Sequence, residues 1–297
     1  MSDYLALSVD LEGTDPAAAE AVCFDAGALS VTLTDAADDA ILEPAPGELR
    51  LWPRTILQAM FAADHATPEA IVALASSLGV TVAAIRAEHV RNRNWEREWL
   101  KDFHAMRFGR RLWVVPHHEP APADAEAVVV RLDPGLAFGT GTHATTALCL
   151  AWLDANLRPG DTVIDYGCGS GVLGIAAARL GAARVDAFDI DPQALIATRD
   201  NAGANAQDES VFVHESLESL PASADVVIAN ILAGTLIELA LPLVARVRRG
   251  GHLVLSGILR QQAHEVLAAF RPLLEIQTGG ERDGWSLLAG GIPGAAQ

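Results

Sequence analysis

From Val128 onward, short apolar runs alternate with helical segments, and this rhythm limits the possible fold more than any other feature of the chain. The runs "TVIDY", "RVDAFDI", "VFVHE", "DVVIAN" and "HLVLSG" are each about one strand long and rich in apolar residues. Strands buried on both sides and separated by helices build a parallel sheet covered on each face. A doubly wound α/β fold is expected, with its ligand in the crevice at the carboxyl ends of the strands. After a last long helix around Gln261 to Phe270, "LLEIQTGGERDGWSLLAG" reads as two strands joined by a glycine-containing turn.

The first ninety or so residues also alternate strand and helix signals, but they lack a glycine-rich phosphate loop. A strand at Tyr4 to Val9 precedes a helix capped by Thr14 or Asp15, with Pro16 in its first turn and Gly27 beyond its end. "LSVTLTD" and "TILQAMF" read as strands, Pro68 to Leu78 as a helix between Thr67 and Gly79, and "TVAAIRAEHV" as a last strand. The order β-α-β-β-α-β is that of a ferredoxin-like sandwich. Residues 1–90 are therefore expected to form a small α/β domain, 91–127 a linker helix and connecting segment, and 128–297 the larger domain. In the linker, Trp95, Trp99 and Phe103 recur every four residues and share one helical face, suited to docking a helix. His117 and His118 are adjacent with no carboxylate pattern around them, so they read as surface residues and no metal site is expected.

A formal charge of −17 argues against a nucleic-acid backbone as the main ligand and suits a basic protein partner. Cys23, Cys149 and Cys168 are an odd number, far apart, without a C-x-x-C pattern, as in a reducing cytosol. "MSDYLALSVDLEGTD" has no basic patch before an apolar run, so a cytoplasmic protein is expected. "VVIANILAGTLIELALPLVA" has the length of a membrane span, but Asn230, Glu238 and Pro242 interrupt it; it reads as a buried strand running into a core-facing helix. The expected protein is a monomer that needs no membrane and no direct nucleic-acid contact.

Two glycine fingerprints overlap in "VIDYGCGSGVLG", Val163 to Gly174. Gly169, Gly171 and Gly174 spell G-x-G-x-x-G, the dinucleotide pattern, whereas Gly167, Gly169 and Gly171 spell G-x-G-x-G, typical of S-adenosyl-L-methionine sites. Asp165 favours the second, because a carboxylate there would repel a pyrophosphate but attract an ammonium and a sulfonium. Asp189 ends the next strand and can accept hydrogen bonds from ribose hydroxyls, a contact both cofactors need. Asp191, before Pro192, reads as a helix cap, and Ser216 and Leu217 fall near an adenine position, with capping by Ser216 an equal explanation. Asn230 ends the fourth strand, where its carbonyl can accept an amine N–H and aim the lone pair at a methyl group. Upstream, "LDPGLAFGTGTHATT" surrounds Phe138 with glycines and ends in a donor-rich helix start at His143, Thr145 and Thr146. It suits a lid over a cofactor, or a plug at Phe138 with His143 as a cap.

"LDPGLAFGTGTHATT", "VIDYGCGSGVLGIAAARLGA", "FDIDPQAL" and "ANILAGTL", in this order, resemble the bacterial methyltransferases that modify the eleventh protein of the large ribosomal subunit. "NWEREWLKDF", "RLWVVP", "LSGIL" and the terminal strands extend the resemblance over nearly the whole chain from Asn94. The resemblance implies a Rossmann-like class I methyltransferase domain after a ferredoxin-like domain that grips the substrate and swings on the linker helix. It implies trimethylation of lysine ε-amines and of the N-terminal α-amine of that ribosomal protein. By the same resemblance Thr146, Gly167, Asp189 and Asn230 contact S-adenosyl-L-methionine, and Phe138, Gly139, Gly141 and His143 lie in the loop over it. Thr145, Asp165, Gly169 and Gly171 complete the expected cofactor set, with Asn230 also the expected catalytic residue. Asn230 stands where many nitrogen methyltransferases begin N-P-P-Y, but Ile231 and Leu232 follow here, which suits an aliphatic amine better than a planar one. The competing readings are an NAD-dependent oxidoreductase, favoured by G-x-G-x-x-G alone, and a ribosome-assembly binding module that keeps a methyltransferase fold.

Overall fold

The computed structural model describes residues 4–11, 14–35, 54–62, 67–90, 104–133 and 143–294. The chain divides into two compact units, Met1–Trp95 and Glu96–Gln297. In the first, β1 (Tyr4–Asp10), α1 (Pro16–Asp25), β2 (Ser30–Asp35), β3 (Thr55–Ala62), α2 (Pro68–Leu78) and β4 (Arg86–Val90) follow in the expected order. The sheet runs β2-β3-β1-β4 with every neighbouring pair antiparallel, the ferredoxin-like arrangement. Alternation along the strands turns Leu5, Leu7 and Val9 of β1 and Leu57, Ala59 and Phe61 of β3 to one side, where they share a core with Ala19, Cys23, Leu74 and Leu78 of the helices. Both helices start where the residues dictate: Asp15 accepts the Ala17 N–H and Thr67 the Ala70 N–H, each at 3.2 Å, with a proline in each first turn.

The second unit contains a three-stranded sheet of β5 (Met106–Phe108), β6 (Leu112–Val115) and β7 (Val128–Arg131). The expected connecting segment thus holds two strands, which the proline-rich stretch before β7 disguises. Phe108, Leu112 and Val114 join the main core, and Asp154 accepts the N–H groups of Arg110 and Arg111 (3.2 Å for Arg111) at the β5–β6 turn. Trp95, Trp99 and Phe103 lie outside the described residues.

Next come α3 (Ala144–Asn156), β8 (Thr162–Tyr166), α4 (Val172–Arg179), β9 (Arg184–Phe188), α5 (Pro192–Ala204), β10 (Val211–His214) and β11 (Ala224–Asn230). They are followed by α6 (Ala233–Glu238), α7 (Ala240–Ala245), β12 (Val247–Leu259), α8 (Ala263–Phe270), β13 (Glu275–Arg282) and β14 (Trp285–Gly291). The seven-stranded sheet runs β10-β9-β8-β11-β12-β14-β13, parallel from β10 to β12 and antiparallel at β14 and β13. Val163, Val185, Ile228 and Val254 face one core and Ile164, Val227, Leu253 and Leu255 the other, as runs apolar on both faces require. The apolar stretch through Asn230 becomes β11, α6 and α7, and among the described residues no helix is long and apolar enough to cross a membrane.

The strand order reverses between β8 and β11, so the chain leaves β8 to one side and β11 to the other, opening a crevice at their carboxyl ends. The β8–α4 turn sits at that crevice because α4 packs closely on the sheet. A Cβ at Gly174 would lie 3.0 Å from Val185 Cγ1 and 3.2 Å from Asp165 Oδ2. Gly174 therefore serves helix packing, and the overlapping G-x-G-x-x-G is incidental. Gly174→Val is expected to cost about 1–3 kcal/mol through overpacking, read as a lower urea midpoint at unchanged slope.

Candidate functional site

After Tyr166 the chain turns through Gly167, Gly169 and Gly171 with φ of 77°, 55° and 79°, a left-handed path that side chains resist. Gly167 and Cys168 N–H both donate to the Phe188 carbonyl, at 2.8 and 3.0 Å, which fastens the turn to the end of β9. From α5, Thr198 Oγ1 donates to the Gly169 carbonyl at 3.1 Å and Asn201 Nδ2 to the Ser170 carbonyl at 2.8 Å. These two supports were not singled out from sequence; a polar pair three residues apart on an inward helix face is the signal that marks them.

Asp189 is half-buried beside this turn, its Oδ2 accepting the Gly169 N–H at 2.9 Å and its Oδ1 the Asp191 N–H at 3.0 Å. Each oxygen keeps acceptor capacity for a ligand. Asp191 is the cap expected, accepting the Gln193 N–H at 2.9 Å before Pro192. Ile190, between them, is 90% exposed.

Asp165, expected at the carboxyl end of its strand beside the loop, lies beneath the glycine turn. It is fully buried, its Oδ2 accepts the Gly174 N–H at 2.9 Å, and its Oδ1 has no hydrogen-bond partner among the described residues. Burial pushes its carboxyl up to about 7, the Gly174 N–H opposes this, and the charge on Asp189 adds to it.

Asn230 and Thr146, far apart in the chain, meet: Asn230 Nδ2 donates to Thr146 Oγ1 at 3.2 Å. Thr146 is buried in the first turn of α3, and Asn230 stands opposite Ser256 of β12. Thr145 is also buried, with its hydroxyl 2.7 Å from His143 Nδ1 at the helix start. His143 is the N-cap residue, with its ring edge-on to Trp285 at 4.8 Å. Ser216 makes no side-chain capping bond to the 3-10 turn Leu217–Ser219. Phe138, Gly139 and Gly141 lie outside the described residues. Among the described residues no cluster of histidine, cysteine and carboxylate side chains could hold a metal, and all three cysteines are buried and free.

The backbone just past Asn230 is held by an unusual close approach. A Cβ at Gly257, whose φ is 84°, would lie 2.2 Å from the Ile231 carbonyl oxygen, and one at Gly167 would lie 2.4 Å from Ile231 Cγ2.

The chain matches the family model described as Ribosomal protein L11 methyltransferase (PrmA) over residues 3–291. The chain belongs to this family. It is 48% identical over 270 residues to the ribosomal protein L11 methyltransferase of Vibrio cholerae, covering 90% of each chain. It is 47% identical over 287 residues to that of Azotobacter vinelandii, covering 96% of this chain and 97% of the other. Among solved structures, the ribosomal protein L11 methylase of Lactobacillus delbrueckii subsp. bulgaricus is 32% identical with a TM-score of 0.59, covering 64% of this chain and all of that one. A family of methyltransferases accounts for the G-x-G-x-G turn and leaves the dinucleotide reading without support.

Two predictions follow from the geometry. Gly257→Ala forces the Ile231 backbone aside and is expected to cost about 1–3 kcal/mol, measured by urea unfolding. The second concerns Asp165, whose folded carboxyl keeps its proton to about pH 7, whereas an unfolded aspartate ionises near about 3.9. Between those values the unfolded state binds fewer protons, so this group lowers stability as the pH rises and adds no further change above. Asp165→Asn should flatten that slope, gaining on the wild type between pH 5 and 7.5; parallel unfolding curves would contradict it.

Proposed function

We propose that this chain is a cytoplasmic, monomeric enzyme that transfers methyl groups from S-adenosyl-L-methionine to amines of ribosomal protein L11, at lysine ε-amines and the N-terminal α-amine. The observation that carries this reading is the Asn230–Thr146 hydrogen bond at the carboxyl edge of β11. With Nδ2 committed to Thr146, the Asn230 carbonyl oxygen is left to accept an amine N–H.

The residues present fit the cofactor. Asp189 has acceptor capacity for two ribose hydroxyls, Ile190 offers an apolar face to a base, and the glycine turn lets the backbone approach a methionyl group. Beneath that turn lies the buried Asp165, whose carboxyl is raised to about 7, so a cation bound above it would favour its ionised form. The cofactor supplies a methyl group on a positively charged sulfur. An amine attacks only as the free base, so the incoming ammonium first gives its proton to water. Asn230 then holds a remaining N–H so that the lone pair points along the line of substitution, a positioning role. The aliphatic Ile231 and Leu232 suit an alkylamine. The first unit, with its own core, is assigned substrate recognition, and the acidic chain matches a basic partner.

Incubation with labelled cofactor and purified ribosomal proteins tests the reading: label enters L11, and label found only in RNA or small molecules overturns it. Asp189→Ala is expected to weaken S-adenosylhomocysteine binding by about tenfold or more, because it removes charge-assisted contacts made in the ground state. Asn230→Ala should change that binding by under about threefold while lowering kcat by about a hundredfold. Equal binding losses in titration calorimetry would contradict the assignment.

A further inference from the structure

One charged residue interrupts an apolar row across the main sheet. At one level the strands place Phe212, Asp186, Ile164, Val227 and Leu253 side by side. Asp186 is 2% exposed. The Arg184 guanidinium grips it with Nε at 2.8 Å and Nη2 at 2.7 Å, and His214 Nε2 meets its Oδ1 at 2.7 Å. The other ring nitrogen, Nδ1, lies 3.1 Å from Ser219 Oγ, and that hydroxyl donates to the Ser216 carbonyl at 2.7 Å. A hydrophobic residue at 186 would satisfy the core at lower cost, since burying a carboxylate is repaid only by full pairing.

The His214 ring therefore bridges the buried Asp186 carboxylate on one side and the Ser219 hydroxyl of the Ser216–Ser219 turn on the other. The other charges at this edge are otherwise engaged: Arg199 pairs with Glu215 at 2.9 Å, the Arg184 guanidinium lies over the Phe212 ring at 4.1 Å, and Glu218 is held below its usual range by backbone and Ser216 hydrogen bonds, with Arg246 adding to this.

The turn held in this way has a specific place. His214 pairs with Phe188, so Glu215 and Ser216 leave the sheet beside Asp189 and Ile190, at the wall of the crevice expected to take the nucleoside. We infer that Arg184, Asp186, His214 and Ser219 form a relay in which His214 positions the Ser216–Ser219 turn as the nucleoside-side wall of the cofactor site. His214 is a positioning residue and touches no reacting atom. The inference rests on the cofactor reading of the Asp189 crevice given above.

The test is calorimetric titration of the full-length wild type, His214→Ala, His214→Gln and Ser219→Ala with S-adenosylhomocysteine, with unfolding midpoints recorded for each. His214→Ala and Ser219→Ala should bind about threefold to tenfold more weakly than wild type, the worth of one such hydrogen bond. His214→Gln, which keeps a polar side chain between Asp186 and Ser219, should recover most of that affinity. A purely structural role would lower the midpoints and leave binding unweakened, and that result overturns the relay, as does a His214→Gln variant that binds no better than His214→Ala. A wild type that does not bind S-adenosylhomocysteine would instead remove the cofactor reading itself, and the relay's role with it.

Discussion

Ile231 occupies its position only because two residues beside it have no side chain. Gly167, in the turn after β8, gives room to its side chain, and Gly257, in β12, gives room to its carbonyl. Three strand ends, β8, β11 and β12, are thereby brought into contact at one residue. Asn230 immediately precedes it, so the direction of its amide follows from a packing constraint as much as from its hydrogen bond to Thr146. The site depends on a backbone crossing that tolerates no added methyl group, and neither glycine could be replaced without moving the residue proposed to hold the amine.

Two carboxylates mark opposite ends of the central strands and are treated in opposite ways. Asp225, at the amino end of β11, accepts the Thr162 N–H at 3.0 Å and the Thr162 hydroxyl at 2.6 Å, and pairs with Arg248. Burial alone would raise its titration point, but these partners outweigh it and hold the group below its usual range. Asp165, at the carboxyl end of β8, has one N–H partner and one bare oxygen, and is raised. Full satisfaction serves stability at one end. At the other end, incomplete satisfaction leaves a buried carboxyl whose ionised form is disfavoured.

Much of the architecture could be read from local patterns. The runs apolar on both faces announced the parallel sheet, and the Asp15-Pro16 and Thr67-Pro68 starts located two helices, because those signals act over a few residues. The places of Asp189, just past the end of β9, and Asn230, at the end of β11, were legible for the same reason. What escaped was long-range or too short to carry a pattern. Strands β5 and β6 span three and four residues, too few for a period to emerge. The burial of Asp165, the Gly257–Ile231 crossing and the pairing of Asp186 with His214 join segments that only the sheet register brings together.

The last strand of the larger sheet is not at its edge. β14 lies between β12 and β13, pairing with both, so β13 has no sheet neighbour until β14 arrives. The smaller sheet is complete once Val90 has been made, and its strands can pair while synthesis continues. The larger sheet has to wait for the segment ending at Gly291. Until then β12 presents an open edge of mostly apolar residues, including Leu253, Val254 and Leu255, to anything else that pairs with strands. The two units thus differ in the interval between emergence and closure, and the unit carrying the crevice is the one exposed for longer during its own production.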